Sequence, residues 1–171
     1  MAEEKTLLNA VLCFPVRTGE VMLGLKLQKI GAGKLNGWGG GIESGEMPIQ
    51  AMIRELFVES GGVKTEPGDY EKVAVIDFHN TKTDGTAFVC RVHIYLLLRW
   101  EGEFRTTDEI ANPRWHRRDG LPLDEMMPAD RAWLPPILAG RKLIGRAKYG
   151  PFQRELLEPM EIRYVVAFRD E

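Results

Sequence analysis

Two cysteines among 171 residues, Cys13 and Cys90, are too few for a disulfide framework and too isolated for a zinc motif. Both sit in apolar, strand-like runs, which predicts buried free thiols in a reducing compartment. Long hydrophobic runs are missing as well. The longest, near Ile94–Leu98, is strand-sized and far short of the roughly 20 residues that a membrane helix needs, so no membrane contact is expected. Nor is there an excess of one charge: 23 Lys+Arg face 25 Asp+Glu for a net of −2. That balance argues against bulk polyanion binding, and no stable nucleic-acid complex is expected. No signal-peptide pattern follows the acidic start at residues 1–5, so a cytoplasmic location is expected. Repeats, linkers and low-complexity tracts are absent, and residues 1–171 read as one domain. The glycine run Gly31-Ala32-Gly33-Lys34 is followed by Leu35, where a phosphate-binding Walker loop needs Ser or Thr. Three histidines stand apart from one another; His93, in an apolar run, reads as a satisfied core residue.

What is present suits a folded core, since 44% of the chain is hydrophobic and only 28% is charged. Residues 7–16 and 21–26 read as a hairpin of strands turned at residues 17–20. Six glycines within residues 31–41 predict an irregular loop of close backbone approaches. Pro48 suits the first turn of a helix, whose apolar side carries Ile49, Met52, Ile53 and Leu56 and which Gly61-Gly62 stops. Strands are expected over residues 72–78 and 87–100, either side of a turn at 80–85. A short strand at 114–116, a second helix over 130–139 and a last strand over 162–168 complete the chain. Strands around two helices give an α/β class, an α/β/α sandwich around a mixed sheet.

The helix at Pro48 also carries Glu55 and Glu59, four apart and hence on one face, beside the apolar side. On their own these two read more readily as a solvated acidic face than as a binding site. Two like charges held close are nevertheless costly unless a cation compensates, and a hard divalent ion with oxygen ligands is the natural one.

The spacing around them goes further. Gly40, Glu46, Arg54, Glu55, Leu56, Glu59 and Gly61 fall at the offsets of G-x5-E-x7-R-E-U-x-E-E-x-G-U, where U is a bulky aliphatic. This pattern resembles the signature of the Nudix hydrolases. Val58 stands where the first Glu of the pair is expected, and Gly62 where U is expected. The resemblance implies cleavage of a phosphoanhydride with Mg²⁺, Mn²⁺ being possible, held by Glu55, Glu59 and the carbonyl of Gly39. Asp108-Glu109-Ile110, followed by Pro113 and Trp115, is similar to the family segment that supplies a further metal-binding Glu. Glu109 is thereby implied as third carboxylate and general base. Gly40, Glu46, Arg54 and Gly61 take structural parts, with Glu46 and Arg54 bracing the loop–helix junction.

Beyond the signature, residues 31–40 and 127–135 resemble the corresponding segments of the MutT-like branch of the family, which implies a purine nucleoside triphosphate, oxidised in the manner of 8-oxo-dGTP, cleaved to monophosphate and pyrophosphate. Asn36 and Asp130 would read the base edge and Met127 would cover its ring, with Asn9, Lys26 and Phe78 lining the pocket. Ala129 and Met127 replace an Asp and a Trp of that branch. They keep open another nucleotide (a modified purine triphosphate, a dinucleotide or an RNA 5′ end), and Val58 keeps open a nucleotide-binding module weak in catalysis. A monomer is expected. Trp133 reads as helix packing. Charge is segregated: residues 39–62 hold four Glu and one Arg, whereas residues 131–149 hold Arg131, Arg141, Lys142, Arg146 and Lys148 and no acid. Those bases read as a solvated surface or, alternatively, as a patch that steers a triphosphate.

Overall fold

The computed structural model describes residues 7–29 and 31–169; the acidic start at residues 1–5 lies outside them. Nine strands and two helices follow one another as β1 (Asn9–Arg17), β2 (Glu20–Lys26), β3 (Leu35–Asn36), β4 (Trp38–Gly41), α1 (Pro48–Glu59), β5 (Tyr70–Thr81), β6 (Ala87–Leu97), β7 (Ile110–Arg117), α2 (Asp130–Leu138), β8 (Lys142–Tyr149) and β9 (Glu161–Val165). The sheet runs β3-β2-β1-β6-β5-β8-β9, with β4 also on β1 and β7 also on β2. It is mixed: β1/β6 and β5/β8 are parallel and the other pairs antiparallel.

Alternation along the strands sorts the core into two layers. From β1, Val11 and Cys13 turn to one face, where Ala51, Met52 and Leu56 of α1 pack on them. Phe14 and Val16 turn to the other, against Trp133, Leu134 and Ile137 of α2. A helix on each face is the α/β/α sandwich that the sequence predicts. Helix α1 starts where Pro48 needs no hydrogen-bond partner and the Met47 N–H donates to Gln50 Oε1 at 2.8 Å. It ends where Gly61 and Gly62 adopt φ of 80° and 114°. Leu56 is fully buried, so Leu56→Ala would cost about 2–5 kcal/mol.

Several expectations are corrected. Residues 31–41 are not wholly irregular: β3 and β4 occupy their second half, because the glycines let β4 lie closer to β1 than any side chain would allow. A Cβ on Gly39 would collide with the Val11 carbonyl. Asn80 and Thr81 belong to β5, opposite Phe88 and Ala87, and the turn is shorter, closed by the Lys82 N–H on the Thr86 carbonyl at 2.7 Å. β6 stops at Leu97 and β9 at Val165, whereas β7 outruns the three residues expected for it. Strand β8 was not foreseen, since its alternating bases mask its apolar side. Both cysteines are buried and free. Among the described residues, no helix is long and apolar enough to cross a membrane.

Candidate active site

The junction between β4 and α1 is held by Arg54. Its Nε and Nη2 donate to the two oxygens of Glu46, both at 2.8 Å, Nη2 also reaches the Gly41 carbonyl at 2.9 Å, and Nη1 donates to Glu55 Oε1 at 2.8 Å. Glu46 accepts the Glu43 N–H as well, at 2.8 Å. The Arg54 hydrogen bonds hold the Glu46 carboxyl well below the usual carboxylate range. Gly40 has no room for a side chain here: a Cβ would meet the Glu55 carboxyl carbon at 2.5 Å.

One turn further along α1, Glu59 is 4% exposed. Its Oε1 accepts the Gly39 N–H at 3.1 Å, and its carboxyl adjoins that of Glu109. Thr107 brings this about. Its hydroxyl donates to the Glu59 carbonyl at 3.0 Å and accepts the Glu109 N–H at 3.3 Å, docking the start of β7 onto the end of α1. Burial, then the negative charges of Glu109 and Glu55, raise the Glu59 carboxyl well above its ordinary range, and the Gly39 N–H offsets this only in part. Among the described residues, no three such side chains converge into a preformed ion cage as they stand, because Glu55 is drawn to Arg54. The donor chemistry nevertheless fits a hard divalent cation: oxygens only, negative, and with like charges already in contact.

Next to this junction lies a cleft of about 180 Å³ that reaches Gly39, Gly40 and Glu59 at one end. Of the residues expected around a base, Lys26, Asn36, Phe78, Met127 and Asp130 line it. Asn36 Oδ1 accepts the Gly37 N–H at 2.8 Å. Phe78 stacks on Tyr149 with ring centroids 5.9 Å apart and planes 17° from parallel. Asp130 is 3% exposed, and its Oδ2 has no hydrogen-bond partner among the described residues. Burial pushes its carboxyl up to about 7, against the Met127 backbone and the Trp133 indole, which favour the charged form. Trp133 packs beside Phe14 in the core and also lines the cleft. Ala129 is fully buried, and its N–H donates to the Tyr149 hydroxyl at 2.8 Å.

Some placements differ from the sequence reading. Asn9 is exposed and is not among the residues that line the cleft. His93 is not satisfied, since its buried Nδ1 lacks a partner among the described residues. The bases after α2 do not face the cleft. In β8, Leu143, Ala147 and Tyr149 turn inward toward α2, so Lys142, Arg146 and Lys148 turn to the opposite face. There Lys142 lies 3.9 Å from Glu71, Arg146 pairs with Glu161 at 3.1 Å, and Arg141 covers the Tyr164 ring at 3.4 Å. A larger recess on that face, about 1280 Å³, is lined by no carboxylate. Asn80, Tyr149 and Gln153 line the cleft and were missed. Asn80 was within reach of the sequence, two residues beyond Phe78 on one strand; Gln153, 73 residues from Asn80, was not.

Known proteins resemble this chain in sequence and in fold. The chain is 36% identical over 134 residues to the oxidized purine nucleoside triphosphate hydrolase of Danio rerio, covering 78% of this chain and 81% of that protein. To the mouse (Mus musculus) protein of the same name it is 34% identical over 130 residues, 75% and 78% of the two chains. The crystal structure of the mutator MutT protein from Bacillus halodurans shares the fold, with a TM-score of 0.72 at 22% identity over 91% of this chain and 97% of that one. The family profile described as the NUDIX domain matches residues 6–136, and the chain belongs to that family.

Proposed function

We propose that the chain, acting as one domain over residues 1–171, hydrolyses a purine nucleoside triphosphate, oxidised as in 8-oxo-dGTP, to the monophosphate and pyrophosphate. Mg²⁺, or Mn²⁺ in its place, is the cofactor, with Glu55, Glu59, Glu109 and the Gly39 carbonyl as its ligands. The observation that carries this reading is the Glu59 carboxyl, buried against Glu109 and near Glu55 at the mouth of a base-sized cleft. The relatives' shared name, oxidized purine nucleoside triphosphate hydrolase, supports the same substrate class.

When bound, the divalent ion neutralises charge developing on the phosphates and acidifies the attacking water. The protein supplies the rest. Glu109, less buried than Glu59, takes the water's proton. Arg54 holds the signature loop against α1, so the carboxylates keep their places relative to the cleft. Asn36 offers the base a donor and an acceptor, and Asp130, whose proton burial retains up to about 7, donates a hydrogen bond in its protonated form to a ring carbonyl. Phe78 and Met127 exclude water from the ring faces.

Product analysis with Mg²⁺ and a panel of triphosphates tests the proposal. Monophosphate and pyrophosphate are the expected products, and release of orthophosphate alone counts against it. A second reading, another modified nucleotide as substrate, draws on Ala129: with its N–H tied to Tyr149 and no polar side chain, a single carboxyl is left to read the base. Competitive turnover across modified purines, dinucleotides and capped RNA ends separates the two.

A further inference from the structure

We infer that Asn80 and Gln153 form a specificity element that reads the five-membered edge of the purine and sets the preference for an oxidised base. This rests on the purine triphosphatase reading above. Gln153 Nε2 donates to Asn80 Oδ1 at 2.7 Å, and Asn80 Nδ2 donates to the Phe78 carbonyl at 3.1 Å. Both side chains line the cleft, and Asn80 is 4% exposed. Alternation on β5 points Phe78 and Asn80 the same way, so a ring resting on Phe78 has its edge at the amides.

Tyr149 measures the separation of the cleft's two polar ends. Its backbone lies opposite Asn80 in the β5/β8 ladder, while its hydroxyl accepts the N–H of Ala129, the neighbour of Asp130. The backbone of Asn80 and that of Ala129, next to Asp130, thus stand at opposite ends of the Tyr149 side chain, and Asp130, Asn80 and Gln153 all line the cleft. With the carbonyl and amine edge at Asp130 and Asn36, the opposite edge, N7 and C8, meets Asn80 and Gln153.

The amides suit one oxidation state of that edge. After their mutual bond and the bond to Phe78, an acceptor remains on Gln153 Oε1, and each amide retains an N–H. An 8-oxopurine presents an N7–H donor beside a C8 carbonyl acceptor, which this pair can match. An unoxidised purine presents an N7 acceptor beside C8–H: a remaining amide N–H can still donate to N7, but the Gln153 oxygen then finds no donor, so the oxidised edge makes one hydrogen bond more. Backbone strain accompanies the arrangement. Phe152 and Gln153 both take left-handed φ, 57° and 56°, fixed by the Gln153 N–H on the Gly150 carbonyl at 3.1 Å and the Gly150 N–H on the Glu155 carbonyl at 3.0 Å. Such strain persists where the surrounding structure enforces it, often at ligand-contacting positions.

The test compares kcat/KM for 8-oxo-dGTP and dGTP in wild type, Gln153→Ala, Gln153→Glu and Asn36→Ala, with Tm measured for each. Loss of one hydrogen bond made only to the oxidised base should lower the 8-oxo-dGTP/dGTP ratio about tenfold in Gln153→Ala. Gln153→Glu, which keeps the acceptor but loses its bond to Asn80, should fall between. Asn36→Ala should lower both substrates and hold the ratio within about twofold. An unchanged ratio in Gln153→Ala, or equal losses on both purines, overturns the inference and leaves the triphosphatase reading standing. Wild-type protein that turns over neither purine overturns that reading first, and the inference with it.

Discussion

Glu59 and Asp130 are both buried carboxyls on the wall of one cleft, and both hold their protons above the ordinary range, yet for different reasons. Around Glu59, burial is reinforced by the negative charges of Glu109 and Glu55. Around Asp130, burial acts alone, and its neighbours favour ionisation. A like-charge cluster can be relieved by a cation, whereas an isolated buried acid is best accommodated as a neutral hydrogen-bond donor. The difference divides the cleft into one end suited to metal-bound phosphates and another suited to an uncharged ring.

The sharpest way to break this comparison is Glu59→Gln, which removes a charge at the metal end without changing shape. Activity should fall by about 10³-fold or more, as metal-centred charge stabilisation is lost, while the Tm without metal holds or rises. Near-full turnover would show that Glu59 holds no metal. Next comes Asp130→Ala, which leaves the base without a partner worth about 1–3 kcal/mol, so kcat/KM should drop about 10- to 100-fold. Here the loss should be independent of Mg²⁺ concentration, which a titration of rate against metal would check.

Asp130→Asn probes the same end through stability. The native pKa stands above the ordinary one, about 7 against 3.8, so the folded protein binds more protons within that window and its stability falls as pH rises through it. Chemical denaturation should find variant and wild type equal below the window and the variant more stable above it, by at most about 4 kcal/mol. A constant difference at all pH values would remove Asp130 as the cause. Arg54→Lys loses the two-pronged bond to Glu46 in a partly exposed pair, which should cost about 1 kcal/mol in denaturant unfolding and lower kcat more than KM. The smallest effect belongs to the far face. Lys148→Glu should change KM for a triphosphate by less than about twofold at any ionic strength, because its side chain points away from the cleft. A marked, salt-dependent rise in KM would restore the steering role for these bases.

Legibility followed distance along the chain. Helix α1 and its apolar side were legible in helical spacing, whereas the Glu46–Arg54 pairing and the part of Gly40 came from the resemblance to the Nudix signature. The sandwich was legible in the order of strand-like runs around two helices, though which side chains of β1 face which helix was not. The Glu59–Glu109 contact was available only through resemblance, because Thr107 makes it across 50 residues of chain. Which face of β1 or β8 a side chain takes was not legible, because a one-residue change of register moves every side chain of a strand to the opposite face.

The sequence by itself determined the family signature, the acidic face of α1 and the sandwich, all set by local spacing and the burial of apolar residues. Only the tertiary structure decided that Glu109 presses on Glu59, that Asn80 meets Gln153, and that the basic strand turns away from the cleft. Those outcomes depend on register and on loops docking from afar, where no local pattern records which partner will arrive.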